Sequence, residues 1–230
     1  MASKGNETIG QRLKACRKQM GMTQKEMFSA IGISQDHLCK FENDKLVMSY
    51  DILKRLYLQG WDINYIITGS RIEWMNHFGV SSVVEHADKD KEYKYFRFLL
   101  YYMECQVGDG ALLQDNHLYH EFLTLSQMQT LEDQKFKSIR KAHNISQEDM
   151  AEILNMNTKT YAKLEHGEKE PDAGVLLRLY EKGYCWPSFF FNVRRHMYGI
   201  AEFLLFSMDG KKGVRGQQVL DYAKKLLELL

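Results

Sequence analysis

The sequence predicts an all-α protein: two small helical bundles joined by a helical connector and followed by further helices near the C-terminal end. Three observations predict it. Apolar residues recur three and four positions apart through most of the chain, and no stretch alternates convincingly as a strand would. Residues suited to helix caps and to left-handed turns punctuate that pattern at short intervals. The design also occurs twice. Displaced by 123 positions, Arg17-Lys18 falls on Arg140-Lys141, and the register runs without a gap until Gly60 falls on Gly183.

Within that register Gln24, Met27, Lys40 and Glu42 recur as Gln147, Met150, Lys163 and Glu165. Leu53, Arg55, Leu56 and Tyr57 recur as Leu176, Arg178, Leu179 and Tyr180. Many differences keep their chemistry: Thr23 answers Ser146, Gly32 answers Asn155, Ser34 answers Asn157 and Phe41 answers Leu164. Matched caps, turns and core positions over such a length identify two copies of one domain.

The first copy is expected over residues 8–69. Its first helix runs from about Thr8 to Met20, with Ile9, Leu13 and Cys16 on one face and Arg12, Lys14, Arg17 and Lys18 more exposed. Thr23 and Glu26 have capping-box spacing for a second helix that ends at Ile31. Gly32 makes a turn, Ser34 caps a third helix ending near Asn43, and two more helices follow from Ser49 to Gln59 and from Asp62 to Ile67. The second copy is expected over residues 131–193. Ser146 caps its second helix, whose face is Met150, Ile153 and Leu154. Asn155 sits where the chain turns left-handed, Asn157 caps the third helix, and Gly167 stops it.

Between the copies, residues 70–130 read as a helical connector. Its segment 93–106, YKYFRFLLYYMECQ, is apolar and aromatic nearly all round, as in a helix covered on more than one side. Gly108-Asp109-Gly110 breaks it, and another helix spans about residues 115–129. Residues 194–230 carry two apolar stripes, Met197 to Met208 and Val219 to Leu230, joined by the polar loop DGKKGVRG. This helical pair and the aromatic helix are the expected dimerisation elements.

The chain has 230 residues, with 31 Lys and Arg against 30 Asp and Glu. So even a balance argues against a histone-like electrostatic binder but leaves room for a local basic surface. The first ten residues lack the apolar core of a signal peptide, and no apolar run approaches the ~20 residues of a spanning helix. Cys16, Cys39, Cys105 and Cys185 are scattered without a CxxC pair, which suits reduced thiols. A soluble, cytoplasmic protein is expected.

Both copies resemble the Cro/C-repressor type of helix-turn-helix domain, the XRE-like family. The second carries SQEDMA, MNTKTYAKLEHG and EKEP; the first carries TQKEMF and IGISQDHLCKFE. The first departs from the family pattern at Phe28, where a small residue is usual, at Asp44 for Gly and at Met48 for Pro. The resemblance implies lambda-repressor-like bundles whose third helix enters the major groove while the second lies across the backbone. It assigns Gln24 and Gln147 to the DNA backbone and to bracing a helix-3 side chain. Base-reading candidates are Gln35, Asp36, His37 and Lys40 in the first copy, and Thr158, Lys159, Thr160 and Lys163 in the second. Lys159 suits guanine O6/N7, and Gln35 suits adenine; Asp36 suits only a cytosine amino group. Ser34 and Asn157 serve as caps that also approach phosphate. The resemblance further implies structural ion pairs between Arg17 and Glu42 and between Arg140 and Glu165, each 25 residues apart.

Other constellations carry less. His117, His120 and Glu121 have helical spacing but no third metal ligand, and Gly210 to Gly213 lacks the full phosphate-loop pattern. No nucleophile–base set stands out, so no enzyme, cofactor or metal is expected. The expected function is a sequence-specific, repressor-like DNA-binding transcriptional regulator. Its partner is double-stranded DNA, engaged as a homodimer or, alternatively, as a tandem monomer using its own two domains; any effector stays unspecified. A protein-interaction or antitoxin-like module that has lost DNA binding in one or both copies is the competing reading.

Overall fold

A computed structural model of the chain describes residues 7–71, 94, 97–99, 101, 134–193, 196, 197, 200 and 225. Among these residues there is helix and turn but no strand. The chain divides into two units, Met1–Ile72 with Ile145–Phe191 and Glu73–Asn144 with Asn192–Leu230.

The first unit holds α1 (Ile9–Gln19), α2 (Gln24–Ile31), α3 (Gln35–Glu42), α4 (Tyr50–Leu58) and α5 (Ile63–Thr68). It also holds α7 (Gln147–Ile153), α8 (Thr158–Glu165), α9 (Ala173–Glu181) and a 3-10 turn over Pro187–Phe190. These helices are too short to be stable alone in water, where roughly 12–15 residues are marginal. Packing therefore holds them: Leu13, Met27, Ile31, Leu38, Leu53, Leu56, Ile66 and Ile67 are almost wholly buried in the first copy. Met150, Leu154, Tyr161, Leu176, Leu179 and Phe189 are their counterparts in the second.

Local chemistry sets where each helix begins. Thr8 and Thr23 form reciprocal capping boxes with Gln11 and Glu26. Ser34, Ser146, Asn157 and Asp172 each accept a hydrogen bond from the third residue of the helix they cap. The turns repeat as faithfully. Gly21 and Asn144, Gly32 and Asn155, Asp44 and Gly167, and Gly60 and Gly183 are equivalent pairs, and all eight have positive φ. Asp44, which replaces a glycine of the family pattern, thus keeps the left-handed turn at φ 55. Its carboxylate is fastened to the start of α1, accepting from the Gly10 N–H at 2.8 Å and from the Thr8 hydroxyl.

Two side chains of α1 are buried where exposure was expected. Arg17 is described with the site below. The Arg12 guanidinium reaches the C-terminal end of α5 and donates to the carbonyls of Ile66 at 2.9 Å and Ile67 at 2.6 Å, and also to Glu7. Helical periodicity along α1 could not reveal this, because the α5 acceptors lie more than fifty residues away. Between this fork, the Asp62 cap and the left-handed Gly69, the six residues of α5 are held at both ends.

The two copies pack on each other within this unit. In the common register residues 186–191 answer Ile63–Thr68, and α9 answers α4. The 3-10 turn lies against α5, and α5 lies against α9. Reciprocally, Phe191 stacks on Tyr50 and Tyr57 at 5.1 and 5.4 Å, and the Tyr50 hydroxyl donates to the Phe190 carbonyl at 2.7 Å. Ser188 N–H donates to Asn64 Oδ1 at 2.9 Å, and Ala173 N–H to the Met48 carbonyl at 3.0 Å.

In the second unit, α6 (Lys135–Ala142) buries Phe136, Ser138 and Ile139. Residues 193, 196, 197 and 200 are helical and buried, the three-and-four spacing of one covered face. Met197 and Ile200 of the first C-terminal stripe belong to it. Of the aromatic segment 93–106, residues 94, 97–99 and 101 are helical, with Leu99 buried and Tyr101 exposed. The expected helix over 115–129, His117, His120 and Glu121, the loop 209–216 and, apart from Lys225, the second C-terminal stripe lie outside the described residues.

Two glycines separate steric from torsional cost. A Cβ at Gly10 would lie 2.3 Å from the Phe41 carbonyl, where α1 meets the end of α3; at Gly60, φ 82, it would meet nothing within 4 Å. Gly60→Ala is expected to cost about 1–2 kcal/mol through backbone strain alone. Gly10→Ala is expected to cost about 3 kcal/mol or more, because backbone must move. Urea unfolding of both variants checks the order.

Candidate nucleic-acid interface

In each copy a helix, a left-handed turn and a second helix form one continuous frame. In the first, Gly32 ends α2 at φ 66, its N–H and that of Ile33 returning to the Phe28 carbonyl. In the second, Asn155 takes φ 51 and the Met156 N–H returns to Ala151. Ser34 Oγ then accepts from His37 N–H at 3.2 Å, and Asn157 Oδ1 from Thr160 N–H at 2.7 Å. Both residues act as caps, as expected, and both are exposed. Phe28 is half-buried, so a large side chain fits there without disturbing the turn; the equivalent Ala151 is fully buried.

A buried carboxylate ties each frame together. Arg17 grips Glu42 with both arms of its fork, Nε to Oε1 at 2.5 Å and Nη2 to Oε2 at 3.1 Å, while Nη1 donates to the Met22 carbonyl. Only 1% of the Glu42 side chain is exposed. Gln24 Nε2 completes the set, donating to Glu42 Oε2 at 2.7 Å. The second copy repeats this: Gln147 Nε2 donates to Glu165 Oε2 at 2.6 Å, and the Tyr161 hydroxyl to Oε1 at 2.9 Å. Gln24 and Gln147 therefore brace the last turn of the third helix. Of the second expected pair, Glu165 is buried at the end of α8, while Arg140 is half-buried on α6, in the other unit.

Burial pushes the Glu42 carboxyl upward, but hydrogen bonds from Arg17 and Gln24, with the charges of Arg17 and Lys14, outweigh it and hold it below the ordinary glutamate value.

The third helices turn their expected reading residues outward. Gln35, Asp36, His37 and Lys40 on α3 are exposed, as are Lys159 and Lys163 on α8; Thr158 and Thr160 are half-exposed. Their charges differ sharply. On α3, Lys40 Nζ pairs with Asp36 Oδ2 at 2.6 Å, one turn away. The residue equivalent to Asp36 is Lys159, so α8 presents two lysines at the same spacing, and no ion pair to either occurs among the described residues. An exposed pair such as Asp36–Lys40 is weak and screened by salt. The sequence contained this contrast, since aligning the copies sets Asp36 against Lys159; the pairing with Lys40 needed the rotamers. His37 also stacks on Phe41, with ring centroids 6.3 Å apart.

Residues 13–56 and 136–181 each match the Helix-turn-helix family model. The chain carries two helix-turn-helix domains of the Cro/C-repressor type. No curated protein and no solved structure matches it. Such domains are of the DNA-binding, transcription-regulator kind. Among the described residues no helix is long and apolar enough to cross a membrane, and no cluster of three or more His, Cys, Asp or Glu could hold a metal. Cys16 is a buried free thiol and Cys39 an exposed one, and Cys185 is buried.

Two outcomes follow for the buried carboxylates. Glu42→Ala and Glu165→Ala are each expected to cost about 3–5 kcal/mol, since partners would be left buried without their anion. Because the folded pKa of Glu42 lies below its unfolded value of about 4.3, its contribution is complete above that value and is lost as pH falls through the folded pKa. Denaturant unfolding between about pH 6 and 3 should show a shallower loss for Glu42→Gln than for the native chain.

Proposed function

We propose that the protein is a sequence-specific, repressor-like transcriptional regulator that reads the major groove of double-stranded DNA with α3 and α8. The observation that carries this reading is the pair of capped third helices, each braced from behind by a buried carboxylate and turning polar side chains to solvent. A base-reading helix needs that rigidity, because a misplaced donor loses its bidentate geometry. Gln35, His37 and Lys40 are the reading residues of the first copy, and Thr158, Lys159, Thr160 and Lys163 those of the second. Ser34, Asn157, Gln24 and Gln147 lie toward the backbone, the glutamines through their free carbonyl face or by bracing alone. Arg17 with Glu42 and Arg140 with Glu165 are structural.

The second copy carries the larger share of affinity in this reading. Lys159 and Lys163 repel one another across one turn, and a phosphate or guanine edge relieves that repulsion. On α3 the Asp36 carboxylate already satisfies Lys40. That pair favours a second reading for the first copy alone, a protein-interaction or antitoxin-like surface. Of the two ways to engage two half-sites, a homodimer through residues 194–230 and a tandem clamp within one chain, the packing between the copies favours the clamp. A cytoplasmic location suits the reading.

Genomic-fragment selection with the purified protein tests it, and one enriched motif is the expected result. Lys163→Ala should weaken binding roughly tenfold and flatten the salt dependence by about one counterion, with its unfolding midpoint unchanged; Lys40→Ala should do less. A folded protein that enriches nothing at low salt would instead support the interaction module.

A further inference from the structure

We propose that the two helix-turn-helix domains form a built-in pseudo-dimer, so that a single chain grips one asymmetric duplex made of two unlike half-sites. The proposal rests on the DNA-binding reading above and adds the symmetry and stoichiometry of the target.

The packing between the copies is reciprocal in the way of a two-fold interface. In such an interface, residue i of one partner meets residue j of the other, and j meets i. Here the fifth element of the first copy, α5, lies on the fourth helix of the second, α9. The fifth element of the second copy, residues 187–191, lies on the fourth helix of the first through Phe191 on Tyr50 and Tyr57 and through Phe190 under the Tyr50 hydroxyl. The two fifth elements meet each other, with the Ser188 N–H on Asn64 Oδ1 at 2.9 Å, both residues buried. Equivalent elements meeting one another, with fourth and fifth exchanged on either side, mark a pseudo-two-fold axis through that contact.

The symmetry is broken where the sequences differ. Phe191 answers Thr68, so Tyr57 gains an aromatic partner across the axis, whereas its counterpart Tyr180 packs on Trp186 of its own copy at 4.6 Å. The contact is also fastened by the Ala173 N–H on the Met48 carbonyl, backbone to backbone. Buried apolar surface, two ring-stacking contacts and three cross-copy hydrogen bonds leave the copies little freedom to re-space themselves.

The operation that exchanges the copies carries α3 onto α8. Their reading residues are not copies: Gln35, Asp36 and His37 stand against Thr158, Lys159 and Thr160, and only Lys40 and Lys163 agree. Two unlike readers on a fixed frame select two unlike half-sites at one spacing. The half containing the α8 contacts favours guanine through Lys159, and the other half favours adenine through Gln35.

The test uses the full chain and the duplex it selects. We expect an asymmetric bipartite motif and, by native mass spectrometry, one chain per duplex. Inserting about five base pairs between the halves turns them to opposite faces of the DNA and should weaken binding tenfold or more. Lys159→Ala should erase preference in one half only, and Gln35→Ala in the other. A palindrome carrying two chains, or indifference to the insertion, would overturn the clamp while leaving DNA binding in place. Failure to select any motif would remove both.

Discussion

The rest of each helix-turn-helix domain depends on one buried carboxylate at the end of the third helix. Glu42 is almost out of water and would be costly there alone; it is tolerated because Arg17 from α1 and Gln24 from α2 both donate to it. Three helices therefore converge on two oxygen atoms. Moving α3 relative to α2 would strand a charge, so the angle between them is set by electrostatics as well as by packing. In the second copy Tyr161 and Gln147 supply donors to Glu165, and the same end is reached with a different set of side chains.

A second constraint links reading frame to assembly. Arg12 leaves α1 on the same helix as Arg17 but runs to the last carbonyls of α5, a helix of six residues that could not persist by itself. That helix is the element through which the copies meet. One helix thus holds both the orientation of the third helix, by Arg17, and the element that joins the copy to its sister, by Arg12.

Charge distribution differs between the copies although the chain as a whole is nearly neutral. The chain carries 31 basic and 30 acidic residues, yet α8 sets Lys159 and Lys163 on one exposed face while α3 neutralises the same positions with Asp36. Affinity for a polyanion follows the local arrangement of charge rather than the total. The two copies share a skeleton and differ in field, and function follows the site carried on a fold rather than the fold itself.

By itself the sequence determined the local features. Caps at Thr23, Ser34, Ser146 and Asn157, left-handed turns at Gly32 and Asn155, and the helix-turn-helix frames were legible because each depends on residues within a turn of one another. The repeat made Gln24, Glu42 and their counterparts stand out, and comparing the copies set Asp36 against Lys159. Tertiary structure alone decided what depends on partners distant in the chain. The burial of Arg12 against α5 is one case, the fastening of Asp44 to Gly10 is another, and the meeting of α5 with the 3-10 turn is the third. Periodicity reports which face of a helix is covered but not by what, and a short helix acquires its partner only when the chain folds.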